Sequence, residues 1–280
     1  MDQPPIFKQI IQTTGDLPTI PAVANLVMQK ISDPDTSPQD LQQIISTDQA
    51  LAARILKIGN STFYGCSRNI TRLSDAIVII GFNSIRSLVM TSALRDLLKS
   101  FGLAEKLLWE HSLGCAFASR IIAKSIKFSK VEESFLAGLL HDIGKVVLNL
   151  KLPDKMSRII QEVYGNPLKT FLESEQEMLG FDHAQIGQLV VKKWNFAEEI
   201  EEAIGNHHRP EKAKILPPLS FVVQLGNAFC HKLEIGPTKN PDLDIMELTA
   251  TRLFKLDGKA VSRLLDETRE TFDSQQSAFM

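Results

Sequence analysis

Apolar residues recur along this chain at intervals of three and four almost from end to end, as in Leu41, Ile44 and Ile45 and again in Leu51, Ile55 and Ile58. Strict alternation is hard to find, so the spacing predicts helices and leaves little room for sheet; the expected fold class is all-α. Short helices are expected up to about Leu98, opened by Ser37 with Pro38, by Asp48, by Ser74, and by Asn83 after a stop at Gly81. Their apolar faces cannot be buried singly and must pack on one another or on the rest of the chain.

Around Ser100 to Gly102 the pattern lengthens. Helices are expected over Ala104 to Ile126, Val131 to Leu150, Leu168 to Leu179, His183 to Trp194, Ala197 to His208 and Pro218 to Leu233. The segment Asp244 to Phe272 reads as two more, broken near Asp257 and Gly258, with frayed residues at the end. A chain of 280 residues can bury a sizeable core. The expected architecture is two packed helical modules, residues 1–100 and 101–280. No internal repeat is visible.

Net charge is -2 with both signs mixed along the length, so no basic footprint marks a phosphate backbone, and nucleic acid is not an expected partner. Cys66, Cys115 and Cys230 are far apart and have neither disulfide-framework nor zinc-knuckle spacing, which fits a reducing cytoplasm. Met1 to Lys8 shows no basic region followed by an apolar run, and no stretch approaches a membrane span. The expectation is a soluble cytoplasmic chain with no membrane partner.

Of six histidines, five fall between Trp109 and Pro210: His111, His141, His183, His207 and His208. His141 and Asp142 sit inside the apolar run Phe135 to Lys145, where a carboxylate and an imidazole are costly to desolvate unless something pairs with them. A divalent cation supplies that pairing; imidazole and carboxylate suit zinc, iron, manganese, nickel or cobalt. Singly, His111 or His183 reads as a hydrogen-bonded core or surface residue. As a set with the two adjacent pairs, the histidines read as ligands converging from several helices of a bundle. Lys145 lies three residues after Asp142 and can either hold a phosphate oxygen or pair with that carboxylate. Cys115 reads as packing, and His231 as a polar residue near a helix end, outside the set.

The stretch Leu139 to Lys145, LLHDIGK, resembles the signature of the HD superfamily of metal-dependent phosphohydrolases. Asp182-His183-Ala184 through Gly187 and Trp194 to His207-His208-Arg209-Pro210 is similar to the corresponding region of HD-GYP proteins and their HDOD relatives. Leu17 to Val23, Asp48 to Ala52 running to Gly59-Asn60-Ser61, Tyr64-Gly65, and Asp75-Ala76-Ile77 to Gly81 resemble the HDOD pattern. The resemblance, over roughly Leu17 to Leu233, implies an all-helical cytoplasmic signal-transduction protein whose second half is an HD-superfamily bundle. HD-GYP relatives hydrolyse cyclic di-GMP at a two-metal, often iron, centre; HDOD proteins are regarded as lacking that activity.

By that resemblance His111, His141, Asp142, His183, His207 and His208 fall on ligand positions. Asn227 replaces the bridging carboxylate, offering a carbonyl oxygen without charge. The Gly-Tyr-Pro segment is missing, since Arg209-Pro210-Glu211-Lys212 follows the histidine pair. The expected function is a regulatory HDOD protein with a degenerate metal centre of one or two divalent ions, iron first, otherwise manganese, nickel or zinc. Its expected partner is a signalling protein of unknown identity, with a nucleotide or phosphate as a further candidate ligand. The alternatives are a working phosphohydrolase, in which Asp142 and Lys145 carry the catalysis, and a metal-free interaction scaffold.

Overall fold

Helix starts in this chain are written in side-chain chemistry. The structure, a computed structural model, describes Phe7 and residues 19–64, 70–98, 105–166 and 169–279. Leu17, Pro18, Gly65, Cys66, Leu168 and the expected module boundary at Ser100 to Gly102 lie outside the described residues. The first helices are α1 (Ala22–Ile31), α2 (Pro38–Ser46), α3 (Gln49–Gly59), α4 (Leu73–Ile80) and α5 (Phe82–Leu98). Then come α6 (Glu105–Ser125), α7 (Val131–Leu140), α8 (Ile143–Lys151), α9 (Pro153–Gly165), α10 (Phe171–Leu179), α11 (His183–Lys193) and α12 (Glu198–Gly205). The last are α13 (Pro217–Lys232), α14 (Thr249–Leu253) and α15 (Gly258–Phe279), with short 3-10 turns at Pro210–Lys212 and Ile245–Glu247. No strand occurs among the described residues.

Reciprocal capping boxes open three helices: Ser37 with Asp40 at α2, Thr170 with Glu173 at α10, and Asp182 with Gln185 at α11. Each satisfies free N–H groups at a helix start, typically worth about 1 kcal/mol. Asp48 caps α3 as expected. Ser74 and Asn83 are not caps. Helix α4 already begins at Leu73, behind Arg72, and α5 begins at Phe82, because the positive φ of Gly81 breaks the chain there and the two helices meet at a bend of 115°. No single described helix is long and apolar enough to cross a membrane.

Four other features differ from expectation. The predicted helix Val131 to Leu150 is two helices, α7 and α8, with His141 and Asp142 at the break. Apolar residues run through the break without interruption, so periodicity cannot reveal it. The helix expected to reach His208 stops at Gly205, which puts His207 and His208 in the following turn. Helix α9, absent from the expectation, buries only Met156, Ile159 and Val163 and exposes most of its surface. The C-terminal residues are helical rather than frayed: Phe279 is fully buried, its ring 5.2 Å from Phe117 and 5.7 Å from Phe63.

One continuous core joins the early helices, through Val27, Leu41, Ile55, Ile77 and Leu88, to Phe117, Phe135, Leu136 and Ile204 of the later ones. A smaller core of Ile122, Phe229 and Leu264 lies between α6, α13 and α15. Fully burying each such side chain contributes about 1.5–3 kcal/mol. Two glycines set the distances around the histidines. A Cβ at Gly138 of α7 would lie 2.7 Å from both the Cys115 carbonyl and the Ser119 hydroxyl of α6, and one at Gly144 of α8 would collide with the carbonyl of His183.

Candidate metal centre

Five helix ends or helices deliver the predicted residues to one interior cluster. His111 comes from the start of α6, His141 and Asp142 from the α7–α8 break, His183 from the first position of α11, His207 and His208 from the turn after α12, and Asn227 from α13. His141 and His183 are completely buried, and His111, Asp142, Lys145, His207 and Asn227 are each less than a tenth exposed. His208 is half-buried.

Four of the imidazoles are oriented through Nδ1. That atom faces the Ile235 carbonyl at 3.2 Å in His111, the Gly138 carbonyl at 2.8 Å in His141, and the Ile204 carbonyl at 2.7 Å in His207. In His183 it faces Glu175 Oε2 at 2.6 Å. Carbonyl and carboxylate oxygens only accept, so each Nδ1 carries the proton and, in a neutral ring, Nε2 keeps its lone pair.

Those Nε2 atoms converge. Nε2 of His141 lies 3.2 Å from Nε2 of His111, and both are 3.5 Å from Asp142 Oδ2. Nε2 of His208 lies 3.0 Å from Nε2 of His183, which is 3.1 Å from Asp142 Oδ1. Nε2 of His207 is buried with no hydrogen-bond partner among the described residues, although its ring centre is 5.0 Å from that of His141 and 5.4 Å from that of His183. Acceptors packed this closely away from water require a shared cation or proton.

The donor atoms fall into two groups, His111, His141 and Asp142 in one and His183, His207 and His208 in the other, each within 4.8 Å of one another. Asp142 spans them, one oxygen toward each group. The orphaned His207 nitrogen and a nitrogen-rich set with one carboxylate fit divalent iron, manganese, nickel or zinc, and do not choose among them. Asn227 lies beside His111 and leaves its Oδ1 buried with no hydrogen-bond partner among the described residues.

The electrostatics follow from burial. It holds His111, His141 and His208 below the ordinary imidazole value, His207 down to about 4 and His231 down to about 3. Burial also opposes charge on His183, but Glu175 overrides it and pushes that ring up to about 9. Burial opposes ionisation of Asp142 as well, yet His141, the Lys145 ammonium and a hydrogen bond from His183 hold its carboxyl well below the usual range. Lys145 Nζ donates to Asp142 Oδ2 at 2.6 Å and lies 4.6 Å over the Phe171 ring, an ion pair that is one of the two roles read from sequence.

Sequence reasoning missed two contributors. Glu175, fully buried, holds both the Nδ1 and the backbone N–H of His183. Its signal was available: Phe171, Glu175 and Leu179 share one helix face, placing a charge on an apolar stripe. His231 is not a bystander, since its ring stacks on His111 at 5.5 Å and 18°. Cys115 packs against Val223 and Ser119, as expected. Outside His208 a cleft of about 220 Å³ is bordered by Arg209, Lys212 and Asn206.

The family model of the HDOD domain matches residues 17–210. The chain belongs to the HDOD family. An HDOD domain protein with unknown function from Geobacter sulfurreducens has the same fold, with a TM-score of 0.81 and 26% identity over 95% of each chain. A protein from Shewanella amazonensis SB2B, described as a candidate phosphohydrolase, superposes with a TM-score of 0.76 at 22% identity over 96% of each chain. This HDOD chain is also 24% identical over 273 residues to an uncharacterized protein of Treponema pallidum (strain Nichols), covering 96% of this chain. It spans about half, 52%, of that relative's length.

Proposed function

We propose that this HDOD protein is a signal-transduction component in which a buried divalent-metal centre fixes the packing of the later helices, and that its output passes through the early helices to a signalling partner in the cytoplasm. His111, His141 and Asp142, with Asn227 beside them, would hold one ion; Asp142, His183, His207 and His208 would hold a second. A bound dication would supply the positive charge that these converging lone pairs lack and, where a water could reach it, would lower that water's pKa.

The observation that carries this reading is the enclosure of the ligand set. Asp142 is 6% exposed and Lys145 7%, and the Lys145 ammonium is spent on Asp142 and the Phe171 ring rather than offered to a phosphate. By the resemblance to HD-GYP proteins, Arg209 to Lys212 replaces their Gly-Tyr-Pro segment; here Pro210–Lys212 forms a short 3-10 turn. Asn227, being neutral, bridges two dications poorly.

A second reading, a metal-dependent phosphohydrolase acting on a nucleotide or phosphodiester, is favoured by the cleft outside His208. There Arg209 and Lys212 border a space large enough for a phosphate group. One experiment separates the two. The chain, loaded with manganese or iron, is assayed on cyclic di-GMP, nucleoside phosphates and an aryl phosphodiester beside His141→Ala. The regulatory reading expects equal, background rates; turnover that His141→Ala abolishes would replace it with the second.

A further inference from the structure

The segment after α3, the later part of α6 and the C-terminal helix border a pocket of about 290 Å³ that opens to solvent. Thr62 and Phe63 line it from the segment after α3, Arg120 and Lys124 from α6, and Glu267, Glu270, Thr271 and Gln275 from α15. Three parts of the chain meet there. Gln275 donates to the Thr62 hydroxyl at 2.7 Å, and Lys57 of α3 donates to the Ser277 carbonyl at 2.9 Å.

The cavity holds polar groups whose needs the protein does not meet. Arg120 is 7% exposed, and its Nη2 pairs with Glu132 at 2.9 Å. Its Nε and Nη1 are buried with no hydrogen-bond partner among the described residues. The guanidinium is held over the Phe63 ring, 4.3 Å from its centre, so it is fixed in place rather than free to swing to water. On the opposite wall Gln275, 4% exposed, leaves its Oε1 buried with no partner among the described residues. Unmatched donors of Arg120 and an unmatched acceptor of Gln275 thus border one pocket. Lys124 of α6 stands beside Arg120 on the same wall.

We propose that this junction binds a small zwitterion of the amino-acid class. Its carboxylate accepts from Arg120 Nη1, and its ammonium meets Gln275 Oε1 and the Glu270 carboxylate. The charges select that class. Arg120 and Lys124 are balanced by Glu267 and Glu270, and Glu132 already sits on Arg120, so a phosphate dianion would be placed among three carboxylates. A neutral ligand would leave the guanidinium edge unmatched. The volume is at the lower end of small-molecule pockets and suits a ligand of amino-acid size. Because the cavity joins the early helices to the later ones, occupancy would tie them together, which goes beyond the metal reading and does not depend on it.

The test uses the full chain with chelator present, so that its failure leaves the metal reading untouched. Thermal unfolding is followed with each of the twenty amino acids, and separately with acetate, ethylamine and inorganic phosphate, at about 10 mM, where a ligand of submillimolar affinity shifts the midpoint measurably. At least one amino acid is expected to raise the midpoint, while acetate and ethylamine are not. Calorimetry on that amino acid should show at least about tenfold weaker binding both in Arg120→Gln, which removes the guanidinium, and in Thr271→Phe, which fills the pocket from α15 without touching Arg120. No response to any amino acid, a response to phosphate alone, or binding unchanged in either folded variant would overturn the proposal.

Discussion

Asp142 turns Oδ1 to within 3.1 Å of Nε2 of His183, a ring whose other nitrogen is held at 2.6 Å by Glu175. An imidazole gripped between two buried carboxylates is oriented and electron-rich, the usual support behind a metal-ligating histidine. Glu175→Gln preserves the shape of the contact and removes its charge. It is expected to weaken metal affinity about 10–100-fold, read by competition with a chromophoric chelator. Unchanged affinity would mean that Glu175 is packing alone.

The metal-free chain should be most stable near pH 6.5. His207 stays neutral in the folded chain down to about pH 4, whereas an unfolded imidazole takes its proton near 6.5. The unfolded state therefore binds more protons across that interval, and stability falls as pH drops through it. His183 has the opposite sign: its folded value of about 9 gives stability that is complete below 6.5 and is lost as pH rises through 9. Unfolding midpoints measured with chelator from pH 4 to 9 should fall on both sides, and Glu175→Gln should flatten the alkaline side only. An alkaline decline that is identical in the variant would contradict this assignment.

Gly144→Ala should destabilise the fold by roughly 1–3 kcal/mol or more, since the new methyl meets the His183 carbonyl and the Gly187 nitrogen, at 2.8 Å, rather than a movable side chain. Urea unfolding followed by circular dichroism measures it. A neutral substitution would mean that α8 and α11 are not packed this closely, and with them Asp142 and His183.

Asn227→Asp restores a charge beside His111. Metal occupancy after purification should rise, because a carboxylate bridges dications where an amide does not. No rise would count against placing Asn227 in the ligand set.

Much of this was readable in the residues. Helical spacing gave the all-α class, and the identities of the clustered histidines pointed to their convergence, because few other arrangements excuse so many buried imidazoles. Where periodicity carried no information, expectation failed. The apolar run through Leu139, Leu140, Ile143 and Val146 conceals a helix break, yet that break is what aims His141 and Asp142 in different directions. Glu175 was overlooked because it lies in a polar-looking segment, Glu173 to Glu177, in which only its register sets it apart. Phe279 looked like a frayed end because its partners, Phe63 and Phe117, are far away in sequence.

The central claim is that lone pairs from two histidine groups share dications across Asp142. Elemental analysis of the full chain, purified without chelator and then titrated with manganese and with iron, tests it most directly. The account predicts bound metal rising to two ions per chain and falling by at least about tenfold in occupancy at matched metal concentration in Asp142→Asn, with the helical signal retained. A chain that stays metal-free at saturating concentrations, or an Asp142→Asn variant that binds as much as the native chain, would contradict it.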